Sequence, residues 1–202
     1  MLCAAFSALV CETACAQVAS ANKALPAPKN VPELMKTFGG ADVKTRDEWE
    51  KVRAPELLAC FEREEYGKRP AAADERGRVS FETYRETEVF GGKEMEMPFD
   101  QHEMLALIAP RLLCVGSATE DHWCGPLGEW WSAKLASPAW ELYGKKGLVG
   151  DKWPDPEKPQ QEGCVSYHLR TGKHFLTPYD WDRYMDFADK HGWRSANDRA
   201  RK

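Results

Sequence analysis

The stretch that decides the fold is RLLCVGSATEDHWCGP, residues 111–126. Residues 111–116 are apolar apart from Arg111, which is typical of a parallel strand buried on both faces. The polar residues from Ser117 onward predict a loop at the carboxyl end of that strand. Residues 164–169, CVSYHL, predict a second short strand, which is followed by a loop that contains His174. Two such strands among helical patterns predict an α/β fold with a parallel sheet.

Helical patterns flank both strands. Residues 127–143 have apolar side chains at helical spacing, and residues 180–191 predict an amphipathic closing helix. The side chains expected to face inward on the closing helix are Trp181, Tyr184, Met185 and Phe187. A shorter helix is predicted over residues 101–109. Residues 144–162, which are rich in Pro and Lys, predict a long loop.

The upstream part of the chain predicts one further helix. Thr45 and Glu48 have the spacing of a capping box, in which each side chain accepts a hydrogen bond from the other residue's backbone N–H. The apolar stripe that follows consists of Trp49, Val52, Leu57, Leu58 and Phe61. Pro55 falls inside the stripe, where it either kinks the helix or starts a second one at its first turn. Tyr66, Gly67 and Pro70 should end the helix.

The pattern of the sequence changes abruptly near Pro98. Residues 78–89 alternate between apolar and polar side chains and predict a half-exposed strand, followed by a turn at Gly91-Gly92. Residues 93–97 could begin another strand, but Pro98 stops it at once. We interpret residues 95–98 as a join between two blocks of sequence.

The amino terminus has the composition of an export signal. Residues 1–16, MLCAAFSALVCETACA, are small and apolar and end in a small-x-small pattern before Gln17. They lack a preceding basic residue, and Glu12 interrupts the run, so a short buried helix is the alternative. We expect a secreted or periplasmic protein.

Charge and length exclude several classes of partner. The chain has 202 residues and a formal net charge of -4, so it has no general attraction for nucleic acid or for an anionic membrane. No stretch beyond the leader approaches the roughly 18–20 apolar residues that a membrane span needs. We expect a monomer with no nucleic-acid partner and no membrane partner.

Cysteine and histidine spacing predicts no metal site and no cofactor. The seven cysteines include no C-x-x-C pair, and the five histidines include no H-x-H or H-E-x-x-H motif. Four cysteines lie outside the leader: Cys60, Cys114, Cys124 and Cys164. Buried free thiols are slightly favoured over one disulfide.

Two predicted loops carry residues suited to hydrolytic chemistry. In open α/β sheets, working residues lie in loops just past the carboxyl ends of strands, where Asp121 and His174 both fall. The acid precedes the histidine along the chain, as in serine-hydrolase triads of this fold class. A carboxylate aimed at an imidazole fixes its tautomer and stabilises the imidazolium. The sequence therefore predicts Asp121 as the acid and His174 as the general base, the alternative for His174 being a surface loop residue.

Two further residues are candidates for binding substrate. Trp123 lies in the same loop as Asp121, and its flat apolar ring suits stacking on a sugar. His102 could also line a site, although a capping role for Asp100 with simple exposure of His102 is an equal alternative. Trp130, Trp131 and Trp153 could offer further stacking faces.

Three stretches resemble the carboxyl-terminal part of bacterial glucuronoyl esterases and related carbohydrate esterases. They are FDQHEMLALIAPRLLCVGSATEDHWCGPLGEW (99–130), PAWELYGKKGL (138–148) and YHLRTGKHFLTPYDWDRYMDFADKH (167–191). VKTRDEWEKVRAPELLACFEREEYGKRP (43–70) is the strongest stretch of a second resemblance, to the amino-terminal region of the same family.

The resemblance implies a secreted serine hydrolase. Such enzymes cleave the ester between glucuronic acid on xylan and an alcohol of lignin, so the implied partner is glucuronoxylan or a lignin–carbohydrate ester. By resemblance, His174 matches the general base, Asp121 an acid at the end of a late strand, and Trp123 an aromatic residue that contacts sugar. Acetyl-xylan-type esterases are not separable from this family here.

The chain departs from that family at the nucleophile. The family carries its serine on a G-x-S-x-G-like elbow between the two blocks, but only about thirty residues separate the blocks here. None of the eight serines has Gly two residues before and two after it. Ser117, the only serine beside the acid loop, follows the wrong strand for an elbow. An internal deletion, a misassembled gene or a shortened paralogue would account for this.

The resulting division of the chain has three parts. We expect a signal peptide over residues 1–16, a flexible lead-in over residues 17–44 and a truncated α/β-hydrolase-like domain over residues 45–202. Within that domain an amino-terminal block spans residues 45–97, and the acid and histidine block spans residues 98–193. Loss of the central strands would leave unpaired edges, so we expect marginal folding and aggregation.

Overall fold

The computed structural model describes residues 28, 31–65 and 97–192. The predicted leader, the strand over residues 78–89 and its glycine turn lie outside the described residues. The chain divides into two compact units. We call Asn30–Arg111 with Lys134–Gly147 the helical unit, and Leu112–Ala133 with Leu148–Lys202 the sheet unit.

The capped helix predicted at Thr45 is confirmed, and it has three parts. They are α1 (Arg46–Glu48), a π-helical turn (Trp49–Arg53) and α2 (Ala54–Glu64). Both halves of the capping box form, since Glu48 N donates to Thr45 Oγ1 at 3.2 Å and Thr45 N donates to Glu48 Oε2 at 2.9 Å. Pro55 lies in the first turn of α2, so it starts a new α-helical segment. The hydrogen-bond pattern changes next to Pro55, where one backbone donor is missing.

The apolar stripe of this helix is only partly buried. Trp49, Leu57 and Phe61 are buried, but Val52 is 50% exposed and Leu58 is 52% exposed. The π-helical turn adds a residue to one turn and so rotates the later positions relative to the regular 3.6-residue pattern. The predicted apolar stripe therefore includes two residues, Val52 and Leu58, that the fold leaves half-exposed.

The next helix, α3 (Gln101–Ala106), is capped by Asp100 and packs on α2. Asp100 and Glu103 form a second capping box, which confirms the capping alternative for Asp100. Cys60, Phe61 and Phe99 form the core between these helices, with the two phenylalanine ring centroids 4.8 Å apart. The helix ends three residues earlier than predicted, because turns over residues 107–109 precede Pro110.

Arg53 is a buried cation at the centre of the helical unit. Its guanidinium donates to the Leu34 carbonyl at 3.0 Å, to Glu56 at 2.9 Å and to Glu103 at 2.5 Å. Burial raises the pKa of Glu103 to about 7, although Arg53 opposes the shift. Leu34 and Val43 are also buried, so this part of the predicted flexible lead-in is packed.

The sheet unit contains two parallel strands, β1 (Leu113–Ala118) and β2 (Val165–Arg170). Their register pairs Leu113 with Val165 and Ala118 with Arg170. Helix α4 (Pro126–Ala136) begins in this unit, α5 (Pro138–Glu141) belongs to the helical unit, and α6 (Pro178–Lys190) follows β2. Parallel strands with helices between and after them form an α/β fold, which confirms the predicted fold class. The single helix predicted over residues 127–143 is broken before Pro138, and the chain passes from the sheet unit to the helical unit within α4.

The two strands differ in burial. Every residue of β2 is buried, and its outer edge forms bridges from Val165 to Leu148 and from Tyr167 to Gln160. The first four residues of β1 are only half-buried, and within the described ranges β1 pairs with no second strand. The prediction of burial on both faces, which was made for the first strand, was therefore wrong for most of β1, whereas β2 has that burial.

The closing helix α6 places Phe187 in the core, as predicted. Trp181 and Met185 are 57% and 51% exposed, so the expectation that they face inward was wrong. With two strands beneath it among the described residues, α6 buries a narrow stripe instead of a broad face. Among the described helices, none has the length and apolar character needed to cross a membrane.

Candidate active site

The loops that follow the two strands are held side by side by hydrogen bonds. Thr119 N donates to the Arg170 carbonyl at 2.9 Å, and Glu120 N donates to the Gly172 carbonyl at 2.9 Å. Gly172 N in turn donates to Thr119 Oγ1 at 3.1 Å. Parallel strands end at the same edge of a sheet, so the register of β1 and β2 brings these loops together.

Asp121 and His174 meet at this edge. Asp121 Oδ2 lies 2.6 Å from His174 Nδ1, a distance typical of a charge-assisted hydrogen bond. This hydrogen bond holds the pKa of Asp121 below its ordinary value. The Asp121 side chain is 13% exposed and that of His174 is 79% exposed. Because the acid occupies Nδ1, Nε2 is the nitrogen left to exchange a proton with a reacting group.

Cys124 lies beside the same nitrogen. Its Sγ is 3.6 Å from His174 Nδ1, and its side chain is exposed. A hydrogen bond to Asp121 raises the pKa of Cys124, so the side chain is a neutral thiol. A nucleophile in a triad faces Nε2, whereas Cys124 faces the nitrogen that the acid uses. The geometry therefore does not make Cys124 the missing nucleophile. Sequence reasoning had given it no role.

Arg170, at the end of β2, organises the loop that carries His174. Its Nη2 donates to the Lys173 carbonyl at 2.8 Å and to the Phe175 carbonyl, and Nη1 reaches the Thr171 carbonyl at 3.4 Å. Arg170 is 6% exposed. The guanidinium thus binds carbonyls on both sides of His174, and the five donors of an arginine allow this.

Asp180, in the first turn of α6, holds that arginine in place. Its Oδ2 accepts from Arg170 Nε at 2.8 Å and from Thr177 N at 2.7 Å, and its Oδ1 lies 2.8 Å from His168 Nε2. Burial opposes ionisation, but the hydrogen bonds from His168 and Thr177 keep the pKa of Asp180 below its ordinary value. The capping-box spacing of Thr177 and Asp180 could have revealed the helix cap from sequence, but not the hydrogen bond to Arg170.

The Ser117 side chain forms a hydrogen bond with Glu129. Its hydroxyl donates to Glu129 Oε2 at 2.6 Å, and the residue is 6% exposed. Burial raises the pKa of Glu129, although the bond from Ser117 opposes the shift. The hydrogen bonds of His174 with described residues go to Asp121 and Cys124. Ser117 is therefore not placed as a partner of the candidate base.

The other two candidate residues differ sharply in exposure. Trp123 is 97% exposed in the loop after β1, so both faces of its ring are open to solvent. His102 lies in the helical unit and is 2% exposed, so the alternative of simple exposure was wrong. The capped helix α3 turns this side chain inward, and burial lowers the pKa of His102. Its role in binding substrate stays a prediction.

Comparison with known proteins shows a partial similarity. No protein-family profile matches this chain. Carbohydrate esterase MZ0003, from an unknown prokaryotic organism, is 45% identical over 102 residues, which are 50% of this chain and 23% of that protein.

Solved structures give the same extent of similarity. A promiscuous CE15 esterase from a marine bacterial metagenome is 45% identical with a TM-score of 0.49, and the match covers 50% of this chain and 25% of that one. The glucuronoyl esterase from Solibacter usitatus is 48% identical with a TM-score of 0.47, over 52% of this chain and 26% of that one. A CE15 glucuronoyl esterase from Teredinibacter turnerae T7901 is 28% identical with a TM-score of 0.47, over 52% and 25% of the two chains.

The identity of 45% confirms the resemblance to carbohydrate esterases over half of this chain. The chain spans about a quarter of the length of these relatives.

Proposed function

We propose that this chain is the acid-and-histidine segment of a carbohydrate esterase of the glucuronoyl esterase type. The observation that supports it is the 2.6 Å contact between Asp121 and His174 at the carboxyl ends of adjacent parallel strands. Its substrate class is a polysaccharide ester that joins glucuronic acid on xylan to a lignin alcohol. A leader in residues 1–16, which lie outside the described residues, would export it.

In the complete reaction, His174 would take a proton from a serine hydroxyl through Nε2. Asp121 would hold the ring in the productive tautomer and stabilise the imidazolium. The chain has no serine on a nucleophile elbow, and Ser117 donates to Glu129. Each oxyanion-hole donor that is lost with the elbow contributes about 2.7–4 kcal/mol to such reactions. We therefore propose that the chain alone does not turn over esters.

Hydrolysis of glucuronic acid methyl and benzyl esters by the purified full chain tests this proposal. We expect rates equal to those of the His174→Ala variant, because the acid and base have no nucleophile to activate. Turnover by the wild-type chain that disappears in His174→Ala would overturn the proposed inactivity. Asp121→Asn would then show whether the acid takes part.

Sequencing the gene across codons 95–98 tests the proposed origin of the chain. An intervening segment with a G-x-S-x-G-like elbow would make the encoded protein an ordinary active esterase. An uninterrupted reading across this join would support a natural deletion.

The exposure of Trp123 favours a second candidate function, which is carbohydrate binding without catalysis. At 97% exposed, this ring can stack on a sugar without rearrangement. Trp130 is buried and Trp153 is half-buried, so they offer less open surface than was predicted. Retention on insoluble xylan should decrease in Trp123→Ala and persist in Trp181→Ala, which removes a 57% exposed ring from α6. Equal retention of both variants and the wild-type chain would exclude this function for Trp123.

A further inference from the structure

The loops after β1 and β2 bring together three different metal-ligand chemistries. One carboxylate oxygen of Asp121, the sulfur of Cys124 and one ring nitrogen of His174 all lie within 4.8 Å of one another. Asp121 and Cys124 come from the same loop with two residues between them, and His174 comes from the other loop. The spacing rules for zinc motifs do not detect this set, because the third ligand is about fifty residues away in sequence and is brought close by strand pairing.

The distances are near those of a tetrahedral zinc site. With Zn–N and Zn–S bonds of about 2.05 and 2.3 Å, tetrahedral geometry places the two ligand atoms about 3.5 Å apart. Cys124 Sγ and His174 Nδ1 are 3.6 Å apart. Asp121 Oδ2 and His174 Nδ1 are 2.6 Å apart and would separate to about 3.3 Å around the same ion. The change required is a lengthening of that hydrogen bond, together with an adjustment of the Asp121 oxygen and the Cys124 sulfur, which lie within 4.8 Å of each other, to about 3.5 Å.

The ligand types and charges also suit this ion. Zn²⁺ is borderline-soft and accepts thiolate, imidazole and carboxylate ligands. A thiolate, a carboxylate and a neutral imidazole together neutralise its two positive charges. The 79% exposure of the His174 side chain leaves an approach from solvent and room for water at a fourth position.

We propose that Asp121, Cys124 and His174 form a Zn²⁺ site with three protein ligands and one open position. Binding releases the thiol proton of Cys124 to solvent and transfers the Nδ1 proton of the neutral imidazole to Nε2 through solvent. The Asp121–His174 hydrogen bond is replaced by one bond from the metal to Asp121 Oδ2 and one to His174 Nδ1. His174 Nδ1 can therefore either coordinate Zn²⁺ or form its hydrogen bond with Asp121, but not both. The proposal goes beyond the proposed function and stands whether or not the chain belongs to an active esterase.

Titration of the reduced full chain with Co²⁺, followed by displacement with Zn²⁺, tests the site by absorption spectroscopy. We expect one equivalent of Co²⁺ to give a thiolate-to-metal charge-transfer band together with the visible bands of tetrahedral Co²⁺. The charge-transfer band should disappear in Cys124→Ser and persist in Cys164→Ser, whose thiol lies at the start of β2. His174→Ala should lose stoichiometric binding.

Calorimetric titration with Zn²⁺ alone gives the second measurement. Changes to residues that only support a metal ligand weaken binding by about 10–100-fold, so loss of a direct ligand should weaken it by at least about 100-fold. We expect this loss in Cys124→Ala and in His174→Ala, and an unchanged Kd in Cys164→Ser. No stoichiometric binding by the wild-type chain would overturn the site. A charge-transfer band or a Zn²⁺ Kd that is the same in Cys124→Ser as in the wild-type chain would also overturn the site, because other cysteines would then be the ligands.

Discussion

Replacing Arg170 with Met should release the loop that carries His174 while leaving the rest of the sheet unit folded. Met fills much of the volume of the arginine stem but donates no hydrogen bond. The substitution removes the donors to the carbonyls of Thr171, Lys173 and Phe175 and one partner of Asp180.

The size of the effect follows from what remains at Asp180. Breaking a buried ion pair costs about 3–5 kcal/mol when it leaves a charge without partners. Asp180 keeps hydrogen bonds from His168 and from both the N–H and the hydroxyl of Thr177, so the cost should lie at the lower end of that range. We expect the free energy of unfolding to decrease by about 3 kcal/mol. The two nearest loop carbonyls lose about 1–2 kcal/mol of local stabilisation each.

Urea unfolding and amide hydrogen exchange measure these two effects separately. Gly172 N donates to Thr119 Oγ1 at 3.1 Å and Phe175 N donates to the Lys173 carbonyl at 2.9 Å, so both amides report loop opening. Their exchange should accelerate by about 10–100-fold, since each 1.4 kcal/mol corresponds to a factor of ten. Arg183→Met is the matched control, because Arg183 pairs with Asp186 within α6.

Arg170→Lys separates charge from geometry. A lysine ammonium can approach Asp180 but cannot also bind the carbonyls, so we expect partial recovery of stability and little recovery of loop protection. The reasoning would be refuted if Arg170→Met unfolded within about 1 kcal/mol of wild type while Gly172 and Phe175 exchanged no faster than in Arg183→Met.

Three further outcomes are expected. The raised pKa of Glu103 means that the folded state binds a proton more tightly than the unfolded state between pH 4.5 and about 7, so this group's contribution to stability falls as pH rises through that window. We expect the difference in unfolding free energy between wild type and Glu103→Gln, measured by urea unfolding, to change by up to roughly 3 kcal/mol between pH 5 and pH 8. The same difference at both pH values would contradict this. Gly116→Ala should lower the unfolding free energy by about 1–3 kcal/mol, because a Cβ there would lie 2.7 Å from His168 and Tyr184. An unchanged melting temperature would show that these two side chains shift to make room for the methyl group. Trp123→Ala should leave the urea midpoint within about 0.5 kcal/mol of wild type, and a larger loss would mean that the 97% exposed ring packs in solution.

The strands and the pairing of Asp121 with His174 could be predicted because they rest on local patterns and one topological rule. The apolar runs before Ser117 and Arg170 mark two strands, and parallel strands end at one edge of a sheet. The capping box at Thr45 follows from spacing alone and forms, and Asp100 takes the capping role that was one of its two alternatives.

Features that depend on packing across the fold could not be predicted. The exposure of Leu58 depends on a π-helical turn that shifts the face of the helix, and the burial of His102 depends on how α3 packs. The half-exposure of β1 depends on the number of strands beside it, which its own sequence does not encode. The hydrogen bonds of Arg170 to the His174 loop likewise require coordinates, because their acceptors are backbone carbonyls.

From the parallel register of β1 and β2 we expect the sheet to form late in folding. Leu113 pairs with Val165, so the sheet closes a loop of roughly fifty residues, at an entropic cost of about 3–4 kcal/mol before any contact offsets it. The turns of α1 and α2 need only neighbours three to five positions away and should form much earlier. Asp121 and His174 meet only after this slow closure. The Asp121–His174 pair is therefore a late product of folding, and it disappears whenever β1 and β2 separate.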